Sequence, residues 1–284
     1  MPELPEVKWL VDQLNQNITG RTIAEIEPGK TKATNFGDLA VQRLLTGSSF
    51  SRIEHFGKLM LLHLTEHDEV VHMHLRFGGR VLLDAEEGPE VDAHLVARLH
   101  FEDGHTLTFK DFQLGYVELL SAEASREAVE AFNPGPEALS KEFSAEYLWK
   151  AIEGRSVGIK EVLQNQHIVT GIGNIYATEA LWTCQLHPRQ PANTLKRVEL
   201  ESLVATLRSQ LQSAYEQHGV AGDFRDLLGQ PGAYGEELQV MWKEEQPCPR
   251  CQTLIEKTKV AGRGTYICPF CQRLRRRLPR EKQQ

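Results

Sequence analysis

Two Cys-x-x-Cys pairs near the end of the chain constrain its fold more than any other feature. Cys248-Pro-Arg-Cys251 is followed, after sixteen residues, by Cys268-Pro-Phe-Cys271, while the fifth cysteine, Cys184, lies far away in a stretch of helical pattern. Disulfides are disfavoured inside cells, so pairs with this spacing read as metal ligands. Zinc takes four soft donors in a tetrahedron, and four thiolates leave no position open for water, so the expected ion is one structural Zn2+ per chain. The surrounding segment has few apolar side chains (Leu254, Ile255, Val260, Tyr266, Ile267 and Phe270) and could hardly hold its shape without metal. The hairpin between the pairs carries Lys257, Lys259 and Arg263, cations suited to phosphate.

Charge is distributed unevenly. The 284 residues sum to −7. From Cys248 to Gln284, however, ten Lys or Arg stand against two acids, a local balance of +8 that leaves −15 for the rest. Binding responds to the local field, so an acidic body with a basic end is compatible with nucleic acid. Arg273-Leu274-Arg275-Arg276-Arg277 reads as an auxiliary tail. Apolar runs are short and bounded by charge, which excludes a transmembrane helix and predicts no membrane partner. The opening Met-Pro-Glu-Leu-Pro-Glu-Val-Lys lacks a basic region and an apolar stretch, so it is no secretory signal and a cytoplasmic location is expected.

The periodicity changes along the chain. Val7, Leu10, Val11 and Leu14 mark an early amphipathic helix. Strands are predicted over 22–27, 58–64, 70–75, 80–84, 95–100, 106–110 and 116–119, a mostly antiparallel sandwich or barrel-like domain, with a further helix at about 37–46. Asn133-Pro134-Gly135-Pro136 is a natural boundary. Beyond it lie helical segments ending near 153, starting at 159 and spanning 174–182. A long helix capped by Thr194 follows, with a face of Leu195, Val198, Leu203, Val204, Leu207, Leu211 and Tyr215. Phe224–Leu228 reads as one helical turn. The fold class is α+β multidomain, in three parts: 1–132, 133–236 and 237–284.

Between two short helices, Gly171 and Gly173 let the backbone approach a ligand closely. Asn174 then opens a helix whose N–H groups point outward, and Lys160 adds a charge from the preceding helix. Such a turn can grip a phosphate without reading a base, and it can equally be a plain helix–helix connection.

With these motifs in hand, the sequence resembles the formamidopyrimidine-DNA glycosylase and endonuclease VIII superfamily over nearly its whole length. The resemblance rests on Met-Pro-Glu-Leu-Pro-Glu-Val at the start, Lys58 in His-Phe-Gly-Lys-Leu, Gly135-Pro136-Glu137, Thr170-Gly-Ile-Gly-Asn-Ile-Tyr-Ala177, Glu237-Leu238-Gln239-Val240 and the finger ending Gly-Arg-Gly-Thr-Tyr-Ile-Cys-Pro-Phe-Cys-Gln. It implies an N-terminal β-sandwich with flanking helices, a helix–two-turn–helix domain and a β-hairpin zinc finger. It also implies removal of oxidised bases from double-stranded DNA and cleavage at the abasic site. The expected lesions are oxidised purines such as 8-oxoguanine and formamidopyrimidine, with oxidised pyrimidines or bare abasic sites as the alternative and a non-catalytic damage-binding protein as the rival class. One copy suffices to wrap a kinked duplex, so a monomer acting at the nucleoid is expected.

The implied chemistry follows from elementary acid–base physics. Loss of Met1 would make Pro2 a free secondary amine. An α-amine, with a reference pKa near 8 against about 10.4 for lysine, is roughly one-tenth neutral near pH 7. Attack on C1′ expels the base and leaves a cationic iminium, an electron sink that permits elimination of the 3′ and then the 5′ phosphate. A retained Met1 would turn that amine into an amide and abolish the route. The resemblance makes Glu3 the general acid/base, Glu6 a support for the first helical turns and Lys58 a phosphate anchor beside the lesion. It makes Asn174 and Arg263 the residues that hold the phosphates flanking the flipped nucleotide, and Lys160, from its place beside the turn, is expected to join them in binding DNA.

Two departures concern the gap left by an everted base. Phe77 stands where the family's wedge is a methionine. The typical aspartate-proline-arginine-arginine-phenylalanine-glycine loop reads Asp111-Phe112-Gln113-Leu114-Gly115, one residue shorter and without the arginine that would pair with the orphaned cytosine. Gln113 and Leu114 are the nearest replacements, so opposite-base selection is expected to differ. Residues 219–236 are shortened, and Met241-Trp242 replace a typical tyrosine-glycine.

Overall fold

The computed structural model describes residues 1–85, 88, 93–220, 222 and 224–275. The chain divides into two compact units, Met1–Asn133 with Ala214–Gly235, and Pro134–Ser213 with Glu236–Gln284. No helix among the described residues is long and apolar enough to cross a membrane.

The first unit opens with α1 (Leu4–Ile18), whose buried Leu4, Val7, Leu10, Val11, Leu14 and Ile18 follow the three-and-four spacing of one helix face. The strands are β1 (Ile23–Pro28), β2 (Phe50–Phe56), β3 (Leu59–Leu64), β4 (Val70–His74), β5 (Arg80–Leu83), β6 (Leu95–Phe101), β7 (Thr106–Lys110) and β8 (Tyr116–Leu120), with α2 (Leu39–Leu45) between β1 and β2. They form two antiparallel sheets, in the orders β1-β6-β7-β5 and β2-β3-β4-β8. Both sheets and α1 supply one continuous apolar core. In β3, Met60, Leu62 and Leu64 enter that core, while Leu59 and Leu61 form a second cluster with Val70 on the other face. Burial on both faces explains why this strand reads as an unbroken apolar run.

Two elements of this unit escape the sequence reading. Strand β2 has its buried positions at Phe50 and Ile53 only, too irregular for a period-two pattern. Helix α3 (Ala122–Phe132) follows β8 after a single residue: Ser121 caps it by accepting the Ala124 N–H at 3.2 Å, and Asn133 ends it in the left-handed region. It covers the outer cluster with Val129, and its Ser125 hydroxyl lies 2.7 Å from Nε2 of buried His72. Lys58, predicted at the head of a strand, sits instead in the two-residue Gly57-Lys58 turn, because β2 and β3 pair as far as Phe56 and Leu59.

The second unit contains α4 (Ala145–Ala151), α5 (Ile159–Gln164), α6 (Asn174–Thr183), most of α7 (Arg197–Glu216) and the hairpin β9 (Glu256–Val260) and β10 (Arg263–Ile267). The long helix does not begin at Thr194. That residue closes a single 3-10 turn, its hydroxyl donating to Pro191 O at 2.7 Å, and fully buried Leu195 follows before the helix starts. The Lys196 N–H then finds the Glu199 carboxylate at 2.8 Å. Val198, expected on the buried face, is 64% exposed, since the inward stripe runs through Leu200, Leu203, Val204, Leu207 and Leu211. Phe224–Leu228 is not a helical turn. Phe224 and Leu227 join the core of the first unit, and the Asp226 carboxylate organises the loop by accepting the Leu228 and Gln230 N–H groups and the Gln13 amide at 2.8–3.0 Å. The tail arginines beyond Arg275 lie outside the described residues.

Candidate functional site

The N-terminus is built as a buried corner. Pro2 and Glu3 are both buried, and Glu3 is the N-cap of α1. Its N–H donates to Glu6 Oε2 at 2.8 Å, while Glu6 Oε1 accepts the Val220 N–H at 2.9 Å. Glu6 therefore fastens the first turn of α1 to the loop after α7, satisfying two N–H groups with one buried carboxylate. Gly219 leaves room for it: a Cβ there would come within 2.5 Å of the Glu6 side chain.

Lys58 is brought to the same end of the unit as Pro2 and Glu3. Thr19 bridges Phe50, and Asn15 pairs through its amide with both the N–H and the carbonyl of Ile53 at 2.9 and 2.7 Å. Helix α1 thus lies beside β2 in the opposite direction. From Asn15 back to Glu3 the helix covers about 18 Å. From Ile53 forward to Lys58 the chain covers about 17 Å. The two paths run the same way from that contact and are of similar length, which directs both ends to the same side of it. Lys58 is only 8% exposed. His74, at the end of β4, feels it: burial first, then the charges of Arg76 and Lys58, lower the imidazole pKa to about 4. His74 Nδ1 accepts the Arg76 N–H at 3.1 Å, so the neutral ring carries its proton on Nε2 as a donor. The sequence reading assigns this histidine no role.

Phe77 and the Gln113-Leu114 pair occupy neighbouring loops. Residues 75–79 cross from β4 to β5 and residues 111–115 cross from β7 to β8, each passing between sheets. Glycine packs them together. A Cβ on Gly79 would fall 2.6 Å from the Phe112 ring, one on Gly78 3.2 Å from Asp111 O, and one on Gly115 would collide with the His74 and Leu75 carbonyls. Phe112 is buried as an anchor, while Phe77 and Leu114 are 51% and 69% exposed and Gln113 is exposed. Phe77 is thus no buried strand-end residue. Two large apolar groups in water flanking an amide form a surface suited to insertion rather than to the core.

In the second unit the glycine-rich turn holds a tight polar cluster. Gly171 has φ of +93°, and Gly173 caps α6. Lys160 is fully buried, its ammonium 2.7 Å from Asn174 Oδ1 and 2.6 Å from the Thr265 hydroxyl. The Asn174 amide donates in turn to Gly264 O at 2.9 Å. Lys160 therefore orients Asn174 and ties α5, α6 and the hairpin together, while Arg263, at the start of β10, is exposed.

The four cysteine sulfurs all lie within 4.8 Å of one another, with Cys251 3.4 Å from both Cys268 and Cys271 and Cys248 4.0 Å from Cys271. A tetrahedral zinc with four sulfurs at about 2.3 Å separates them by about 3.8 Å, so the donor set fits zinc in size, number and softness. Arg250, between the first two cysteines, donates to the Trp182 and Thr183 carbonyls and lies 4.6 Å over the Trp182 ring, locking the finger to the end of α6.

Comparison with known proteins gives the same division of labour. Family models for the formamidopyrimidine-DNA glycosylase N-terminal domain, its H2TH domain, and a zinc finger found in FPG and IleRS match residues 1–116, 135–225 and 245–274. The formamidopyrimidine-DNA glycosylase of Streptococcus mutans is 35% identical, covering 96% of this chain and all of its own. Lactococcus lactis Fpg, solved with DNA containing an oxidized pyrimidine, is similar at a TM-score of 0.86 and 30% identity over 96% of this chain and all of its own. MutM in complex with carbocyclic 8-oxo-G containing DNA gives 0.85 and 31%, again over 96% and 100%.

Proposed function

The chain belongs to the formamidopyrimidine-DNA glycosylase family, and from that premise we propose that its first unit excises the base and cuts the strand through Pro2 while its second unit grips the duplex. The protein is a bifunctional oxidised-purine DNA glycosylase and abasic-site lyase of the base-excision type, with a structural zinc finger. With Met1 removed, the Pro2 nitrogen bonds to C1′, the glycosidic bond breaks, and the base leaves with a proton. The sugar ring opens to an iminium as O4′ takes a proton; C2′ gives up a proton as the 3′ phosphate departs, and C4′ gives up a second as the 5′ phosphate follows. Glu3, the next residue, carries the proton between O4′, C2′ and solvent. Lys58 and the neutral Nε2–H of His74 bind the phosphate beside the reacting sugar. Glu6 is a positioning residue that fixes the corner. Asn174, oriented by Lys160, and Arg263 hold the flanking phosphates, and Phe77, Gln113 and Leu114 fill the gap left by the everted nucleotide.

What supports this reading is the antiparallel course of α1 and β2, which carries the N-terminus of α1 and the Gly57-Lys58 turn toward the same end of the first unit. The missing arginine beside Gln113 favours a second reading, in which oxidised pyrimidines share the site, because a glutamine amide accepts more than one opposite base. The functional parts are 1–132, 133–236 and 237–284, in a cytoplasmic, nucleoid-associated monomer. Borohydride reduction with an abasic-site duplex tests the mechanism. Processed protein gives a covalent adduct; its absence with fully processed protein defeats the amine mechanism.

A further inference from the structure

Residues 238–243 form a short loop whose backbone is fixed from outside. The Glu179 carboxylate, on α6 and 2% exposed, accepts three successive N–H groups, from Gln239 at 2.8 Å, Val240 at 3.0 Å and Met241 at 2.7 Å. A hydrogen bond from the Lys243 N–H to Val240 O at 3.1 Å then closes a turn with Met241 and Trp242 at its centre. Trp242 takes the third position with φ of +61°. That is the position where a turn of this shape favours glycine, and a bulky aromatic there is strained.

The strain brings only partial packing in return. Val240 and Met241 are buried at 0% and 5%, but Trp242 is 52% exposed. The turn is held by Glu179 and by its neighbours, so the indole is not needed for the fold. A strained residue kept in place by surroundings that over-determine it points to function. The helix that holds the turn also begins with Asn174, in the polar cluster assigned above to phosphate. A flat, largely apolar ring on a turn fixed by that helix suits one ligand chemistry, the face of a nucleobase or deoxyribose.

We propose that Trp242 is a stacking platform for a nucleotide of bound DNA outside the lesion pocket, a contact added to the phosphate grip of the second unit. This rests on the DNA-glycosylase reading. Because glycine suits the backbone here, the stability and binding consequences of removing the ring have opposite signs. In the full chain, Trp242→Gly is expected to raise Tm by about 2–4 °C while weakening binding to a tetrahydrofuran-containing duplex roughly tenfold. Trp242→Asn, which tolerates positive φ, is expected to lose as much affinity, and Trp242→Phe to keep most of it. Borohydride trapping on an abasic duplex at saturating concentration should match the parent protein in all three. Parent-like affinity in the Gly and Asn variants, with trapping intact, overturns the platform alone. Failure of the processed parent protein to trap overturns the glycosylase reading beneath it.

Discussion

The two units of this chain achieve rigidity by different means. The first has a continuous apolar core drawn from α1 and both sheets, and it can afford charged or polar groups at its edge, with Glu3, Glu6, Lys58 and His72 all buried. The second ties its glycine-rich turn to the hairpin through a small polar network, Lys160 to Asn174 and Thr265 and Asn174 to Gly264, supported by a four-cysteine finger. Phosphate is the same on every nucleotide, so a fixed grip suits it. In the proposed function base reading falls to Phe77, Gln113 and Leu114, which are exposed on glycine-packed loops of the first unit. This is also where the sequence departs from the family pattern. Metal should therefore govern the second unit, and protonation the first.

Loss of metal gives the largest expected effect. Cys268→Ser should abolish zinc binding, disorder the hairpin carrying Gly264 and Thr265, and weaken duplex binding by about a hundredfold or more. Metal analysis beside fluorescence anisotropy would show it, and unchanged affinity in zinc-free protein would erase the contrast between the units. Acid should act on the first unit. Burial, and secondarily His63, lowers the pKa of His72 from 6.5 to about 4. The unfolded chain then takes up a proton that the folded one refuses, so stability is complete above pH 6.5 and declines as pH falls towards 4, by about 3 kcal/mol from this residue. His72→Gln keeps a polar neighbour for Ser125 and should flatten the dependence of denaturant midpoint on pH across that window; an unaltered slope would assign the acid sensitivity elsewhere.

Smaller effects should separate gripping from reading. Arg263→Ala should weaken binding roughly tenfold whatever the lesion and reduce the slope of log affinity against log salt by about one. A lesion-dependent loss would move Arg263 from grip to recognition. Gln113→Ala should change the ratio of excision opposite the four bases by a few-fold while leaving abasic-site cleavage nearly unchanged. Equal loss of both would remove Gln113 from base reading.

Legibility in the sequence followed how local each signal is. The finger needed only cysteine spacing, and most strands needed only alternation. The resemblance supplied the roles of Pro2, Glu3 and Lys58, but not the course of α1 beside β2, which Asn15 fixes by pairing with the edge of that strand. Helix α3 was missed although Ser121 and Asn133 bracket it, because Val129 and Phe132 are its only large apolar residues and only Ser125 is buried. Residues 214–235 return to the first unit through contacts more than two hundred residues apart in sequence, such as Glu6 to Val220 and Gln13 to Asp226, and no local pattern announces them. Trp242 could be noticed as a replacement for glycine, but its left-handed backbone and its exposure exist only in the folded turn.

The central claim is that an unblocked proline nitrogen forms the bond to the sugar. Proteolysis and mass spectrometry of the borohydride-reduced adduct locate that bond directly. The deoxyribose remnant should ride on the peptide that begins at Pro2, with Met1 gone. A remnant found on Lys58 or another lysine, or an active protein whose N-terminal peptide still starts at Met1, would contradict it.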